Sequence, residues 1–201
     1  MKKDCAFFDR TQKEGKKYLR IYEWQGAWIS LGRFQNPLSD LLRHDLVPWV
    51  IRPTGGNAVL HGHDITIALS VPLSVFGLNA RNIKSAYRKL IAPIVSAFRK
   101  HAIQAILAEE SRFLSNKTKS ADCFRHIAPL DVVDENTGRK LVGCAMKITR
   151  DSVLAQCSIP IDLPLVDPQL LYANSHVAMP LNIDKKTFRE SLIECYLLSL
   201  E

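Results

Sequence analysis

Two hydrophobic periods alternate along this chain. Residues 18–24 alternate apolar with polar positions, which predicts a strand. Gln25-Gly26-Ala27 reads as a turn, and residues 28–31 read as a second strand pairing back on the first. Residues 38–45 suit a short helix that Pro48 stops. Residues 46–51 form an apolar run read as a buried strand, and residues 65–71 read as another. The period then lengthens. Ile83, Ala86, Tyr87, Leu90, Ile91, Ile94, Val95 and Phe98 recur every three to four positions, predicting the longest helix from an Asn79 cap to about His101. Pro93 lies inside it, so a kink or an early break is expected there.

Strand signals return at 103–108, 130–133, 139–148 and 153–161, with 139–148 expected to pair back on 130–133. Between the first two lies a polar loop, 109–122, expected to be mobile. A short helix is expected after Asp167. Asp184 then caps a final helix with Phe188, Leu192, Cys195, Tyr196 and Leu200 as its apolar set. Residues 1–17 are polar except for Ala6-Phe7-Phe8, read as a short edge strand. The pattern shows no repeat and no long linker, so residues 1–201 are expected to form a single domain.

Composition narrows the class. Hydrophobic residues make up 47% and charged residues 23%, an ordinary globular balance without an apolar run of membrane-spanning length. No signal core follows Lys2 and Lys3, so cytoplasmic residence is expected. The five cysteines are widely spaced and lack a CxxC pair, which argues for free thiols over a disulfide framework or a zinc site. A net charge of +7 is scattered, without an aromatic-rich basic stripe; it suits an acidic protein partner better than nucleic acid.

The stretch Arg52-Pro-Thr-Gly-Gly-Asn-Ala-Val-Leu-His61 carries the most chemistry. Its glycines lie between two strands, unlike a Walker or dinucleotide-binding turn, which feeds a helix. Paired glycines permit positive φ and close approach to a ligand, and Arg52 offers a planar fork to a carboxylate or phosphate. A plain hairpin turn with a surface arginine fits this pattern equally well. His61, His63 and Asp64 are a poor metal seed, because no third ligand is placed by spacing.

Several stretches together resemble one family. Residues 19–24 and 30–35 look like the first strand pair of the biotin/lipoate protein ligase catalytic domains, among them lipoate ligases and octanoyltransferases. Residues 52–61 look like that family's most characteristic motif, Gly138-Arg-Lys-Leu-Val-Gly-Cys-Ala145 like its lysine motif, and 158–162 like the strand behind it. The resemblance implies an α+β fold, a mixed β-sheet backed by helices. It implies attachment of an octanoyl or lipoyl group to a lysine of a lipoyl domain. The acceptor would be a 2-oxoacid dehydrogenase E2 or glycine cleavage H protein, and acyl carrier protein a possible donor; no nucleic acid or membrane is involved. Arg52, Thr54, Gly55, Gly56 and His61 would line an acyl pocket, with Val59, Gly143 and Ala145 completing the substrate-binding set. Lys140 would polarise the acyl carbonyl.

Asp122-Cys123-Phe124 resembles the Cys-Phe step of one octanoyltransferase class, whose cysteine takes the acyl group as a thioester. Cys123 is thus the expected nucleophile, with a pKa lowered by Lys140. This relay needs no cofactor. The alternatives are a ligase that uses ATP and magnesium to make an acyl-adenylate, and a non-catalytic paralogue that only binds lipoyl domains. The chain also departs from the family pattern. The usual helix before Tyr18 is expected to be missing, and no C-terminal accessory domain is expected. Met146 stands where glutamine is common, Gln156-Cys157 where His-Gly is common, and Gly62 where aspartate is frequent. Cys144 and Cys157 are expected to meet across a hairpin as two packed thiols.

Overall fold

The computed structural model describes residues 1–78, 81–113 and 120–200. Its centre is a four-stranded antiparallel sheet. Strand β1 (Tyr18–Tyr22) pairs with β5 (Asp64–Pro72), β5 with β9 (Ser152–Pro160), and β9 with β8 (Gly143–Ile148). Strands β5 and β9 are the inner pair and are buried almost throughout. Their two faces differ. Ile65, Ile67, Leu69 and Val71, with Val153, Ala155, Cys157 and Ile159 opposite, join the main core. Helix α3 (Ile83–Lys100) and helix α4 (Lys185–Leu200) cover that face; Leu90, Ile94, Phe98, Phe188 and Leu192 fill it. The other face carries Thr66, Ser70, Gln156 and Ser158, all buried and hydrogen-bonded.

A three-stranded sheet stands beside that polar face. Strand β2 (Trp28–Leu31) lies between β3 (Trp49–Ile51), parallel to it, and β4 (Val59–His61), antiparallel to it. A short ladder joins β6 (Ala105–Leu107) to β7 (Val132–Asp134). The α+β expectation therefore holds, with the mixed sheet being the smaller, three-stranded one.

Several expectations are corrected. Residues 1–17 hold no edge strand: Lys2–Glu14 is helix α1, closed by Gly15 at φ 66°. A helix therefore does precede Tyr18, and it lies on β5 and β9. Its buried positions are Asp4, Phe8 and Thr11, one stripe at helical spacing on which two of three residues are polar. That composition hid the helix from an apolar count. Strands β1 and β2 do not pair with each other; they belong to different sheets. Strand β3 is an edge, not buried, with Trp49 and Ile51 exposed. Helix α2 is only Pro37–Asp40. Of the expected strand 139–148, only the stretch before β8 pairs back on β7, through a bridge from Val133 to Lys140, and β8 itself pairs with β9. The expected Asn79 cap lies outside the described residues, and Asn82 caps α3 through Ser85 N. That helix runs unbroken past Pro93. Residues 114–119 of the loop expected to be mobile also lie outside the described residues. Asp184 caps α4, accepting from Thr187 N at 2.9 Å.

Candidate active site

The glycine turn is not a hairpin. It joins β3 to β4, which flank β2 on opposite sides, so the chain crosses the end of β2. At that crossing Gly32 follows β2 so closely that a Cβ there would lie 1.9 Å from the Gly56 carbonyl oxygen. Only Gly56 of the pair has positive φ, at 81°. Arg52 is 4% exposed and holds the turn together. Nη1 donates to the Ser30 carbonyl at 2.7 Å, and Nη2 to the carbonyls of Gly55 and Asn57 at 2.7 and 2.6 Å. The guanidinium is committed to backbone, which corrects the expectation that its fork is free for a ligand.

The residues after the glycines position the thiol. Ala58 N donates to Ala121 O at 2.8 Å, and Cys123 N donates to Ala58 O at 2.9 Å. Asp122 caps the turn that follows, accepting from Phe124 N at 2.9 Å and from Ser175 Oγ at 2.5 Å. Gly143, opening β8, makes room for this turn: a Cβ there would come within 3.2 Å of Cys123 Sγ and 3.1 Å of Phe124 Cζ.

Lys140 reaches the same place from the β7 side. Its Nζ donates to Asp131 Oδ2 at 2.6 Å, to the carbonyls of Cys123 and His126 at 3.0 and 2.9 Å, and lies 3.8 Å from Cys123 Sγ. Burial lowers the Lys140 pKa, but the Cys123 thiol and the Asp131 carboxylate outweigh it and raise it. For Cys123 burial is the largest influence and pushes the thiol up; Lys140 and Arg52 pull it down without prevailing. The resting pair is therefore a thiol beside an ammonium. This corrects the expected lowered thiol pKa: desolvation of the half-buried sulfur outweighs the pull of a cation that is shared with Asp131.

Beside them is a pocket with about 40 Å³ of free volume. Of the residues singled out from sequence, Arg52, Gly56, Val59, His61, Cys123, Gly143 and Ala145 line it. Thr54 and Gly55 do not; Thr54 is buried and donates to Gln156 Oε1 at 2.9 Å. Lys140 stands behind Cys123 and lines a separate groove.

His61 belongs to a buried chain of hydrogen bonds that motif reading missed. Its Nδ1 lies 2.8 Å from Asp64 Oδ2, and its Nε2 lies 2.8 Å from Ser30 Oγ. A carboxylate only accepts, so Nδ1 carries the proton. Asp64 also accepts from Ser158 Oγ at 2.6 Å and Thr66 Oγ1 at 2.9 Å. Burial pushes the Asp64 carboxyl up; His61, Ser158 and Thr66 outweigh it and hold the pKa at about 2. The chain continues from Ser30 to Arg52 and so ties the large sheet to the glycine turn. The signal available in sequence was Thr66, Ser70, Gln156 and Ser158, polar residues inside otherwise apolar strands. Among the described residues no group of three potential ligands could hold a metal ion.

The model of the lipoyl protein ligase A/B catalytic domain matches residues 2–194. The chain belongs to that family. A relative named Octanoyltransferase LipM, from an Exiguobacterium species, is 35% identical over 167 residues, covering 79% of this chain. A protein of the same name from Kyrpidia tusciae is 35% identical over 177 residues, or 85% of this chain. The chain spans only 58% and 62% of those two relatives' lengths. Among solved structures, lipoate-protein ligase A bound with ATP superposes with a TM-score of 0.70 at 17% identity, over 98% of this chain and 78% of that one. At that identity the likeness speaks for the family's catalytic-domain fold alone.

Within this family domain, Cys144 and Cys157 face each other in register with their sulfurs 2.9 Å apart, and all five cysteines are free thiols. Among the described residues, no helix is long and apolar enough to cross a membrane.

Proposed function

We propose that the protein is an acyltransferase that takes an octanoyl or lipoyl group onto Cys123 and passes it to a lysine of a lipoyl domain. The observation that carries this reading is the approach of Lys140 Nζ to within 3.8 Å of Cys123 Sγ at the wall of a mainly apolar pocket. The octanoyltransferase name of its relatives supports the same choice. An acyl carrier protein is the donor that suits this chemistry, lipoyl domains of E2 or H proteins are the acceptors, and free thiols suit a reducing cytoplasm.

In the first step the Cys123 sulfur bonds to the donor's thioester carbon. The thiol gives up its proton, the carbon–sulfur bond of the donor breaks, and the donor leaves as a thiol. Lys140 is an ammonium held by three oxygens, fixed before substrate arrives, so it offers positive charge to the oxyanion at little reorganisation cost. In the second step a lysine amine displaces the Cys123 sulfur, an amide forms, and the thiol is restored.

The pocket's 40 Å³ is too small for an octanoyl chain, so lining side chains must move. Met1 is the readiest, since its Sδ touches Gln156 Nε2 at 3.1 Å and its unbranched side chain repacks easily. The ligase alternative needs Arg52 for an acyl-adenylate. Its guanidinium is already bonded to backbone carbonyls, which favours the relay without ATP or magnesium.

The test is intact mass after incubation with octanoyl-carrier protein. One octanoyl group should be gained, and lost in Cys123→Ser. A gain that survives that substitution overturns the assignment. Lipoate-dependent pyrophosphate release selects the ligase instead, and lipoyl-domain capture without turnover in either assay selects a non-catalytic binder.

A further inference from the structure

Behind Lys140, away from the acyl pocket, lies a groove of about 810 Å³. Lys140 and Phe124 line it, so the groove and the pocket meet at the Cys123–Lys140 pair. Its walls combine apolar surface at Phe124, Ile127 and Met179 with positive charge at Arg125 and Arg139. Arg125 Nη1 donates to His176 Nδ1 at 3.2 Å, and the buried Nε atoms of Arg125 and Arg139 have no partner among the described residues. Among the described residues neither guanidinium is in an ion pair. Asp134 is the one carboxylate among the described lining residues, and its Oδ1 is engaged by the backbone of Asn136 and Thr137. Two guanidiniums on a groove wall beside the Cys123–Lys140 pair, with no ion-pair partner among the described residues, point to an anionic occupant.

We infer that this groove seats the acceptor protein, and that its target lysine sits on a turn flanked by carboxylates that pair with Arg125 and Arg139. The inference rests on the acyl-transfer reading above and adds where the acceptor docks and what recognises it. A bare lysine ammonium would be repelled by a chain of net charge +7. Flanking carboxylates turn that repulsion into attraction and fix the register of approach. The groove also prepares the nucleophile. Apolar walls and neighbouring cations both disfavour an ammonium, so an incoming lysine loses its proton more readily there. The free amine can then attack the Cys123 thioester carbon; the carbon–sulfur bond breaks, and the sulfur takes up the proton that nitrogen releases. A thioester donor has no such need and arrives on a thin flexible arm. A broad, basic groove suits the folded acceptor better.

The experiment separates the steps. Wild type and the Arg125→Glu/Arg139→Glu double variant are first charged with octanoyl-N-acetylcysteamine, a small thioester with no protein to dock. Transfer to an apo E2 lipoyl domain is then timed by mass at several salt concentrations. The charging rate should not change in the variant. Its KM for the lipoyl domain should rise about tenfold or more, and the salt dependence seen in wild type should flatten. Unchanged transfer overturns the inference. So does a variant that transfers normally but is charged poorly by octanoyl-carrier protein, since the groove would then serve the donor. If wild type never charges, the acyl-transfer reading has failed, and calorimetric binding of the lipoyl domain to uncharged protein decides the groove alone: binding lost in the variant supports it, and equal binding sinks it. The milder Arg139→Gln, checked by its melting temperature, substitutes if the double variant does not fold.

Discussion

Lys140 separates two regions built on opposite terms. On the pocket side buried polar groups close on one another: Asp64 takes His61, Ser158 and Thr66, Ser30 links His61 to Arg52, and Arg52 pins the glycine turn. The space left there is about 40 Å³. On the groove side the space is about 810 Å³, and the two guanidiniums on its wall have no ion-pair partner among the described residues. A connected network fixes geometry, whereas a cation without a counter-charge leaves affinity for an anion.

The largest effect expected is at the boundary itself. Lys140→Met leaves Asp131 buried without its partner, which should cost about 3–5 kcal/mol of stability. Loss of the fixed ammonium should slow charging of Cys123 about a hundredfold or more. Denaturant unfolding and timed mass spectrometry read the two consequences separately. A stable variant that charges at the normal rate would remove Lys140 from both roles.

Asp64 comes next. Its pKa is about 2 in the folded protein against an ordinary 3.8, so its contribution is present above about pH 4 and fades as pH falls toward 2. The difference corresponds to about 2 kcal/mol. Asp64→Asn should lose stability at neutral pH and show a flatter acid limb than wild type in urea titrations between those pH values. Parallel acid limbs would mean that the carboxylate is not held by its neighbours.

These two carboxylates also mark what sequence could and could not reveal. The spacing in α3 and α4 placed Leu90, Ile94, Phe98, Phe188 and Leu192 correctly in the core, because each helix carries its own periodicity. Motif resemblance brought Cys123 and Lys140 together although they come from separate loops. Strand partners were legible only in part. The β8–β9 hairpin, with Cys144 opposite Cys157, was expected, but β1 pairs with the distant β5, where adjacency in sequence suggested β2. Helix α1 was missed because Asp4 is buried for its bonds to Arg20 and Gln156, not for hydrophobicity. The groove was invisible for a similar reason: Arg125, Arg139 and His176 converge only in three dimensions.

A smaller effect concerns the thiol. Because burial raises its pKa above the ordinary 9.0, the thiolate fraction should climb about tenfold per pH unit through neutral pH. Alkylation of Cys123 by iodoacetamide, followed by peptide mass, should keep accelerating up to about pH 9. A plateau near neutrality would mean an already ionised sulfur and would restore the simpler expectation of a lysine-activated thiolate.

The smallest expected effect is the most direct comparison between the two sides. Arg139→Gln removes a charge only a short way along the chain from Lys140, but from the groove wall. Among the described residues no ion pair is broken there, and a buried Nε without a partner is removed with the guanidinium. Burial already disfavours the charge, with Asp134 as the opposing influence, and the Arg139 pKa is lowered as a result. Stability should therefore stay within about 0.5 kcal/mol of wild type by denaturant unfolding. A loss as large as that of Lys140→Met would mean that Arg139 holds the β7 turn together. The groove would then be structural, and its cations would no longer argue for an acidic partner.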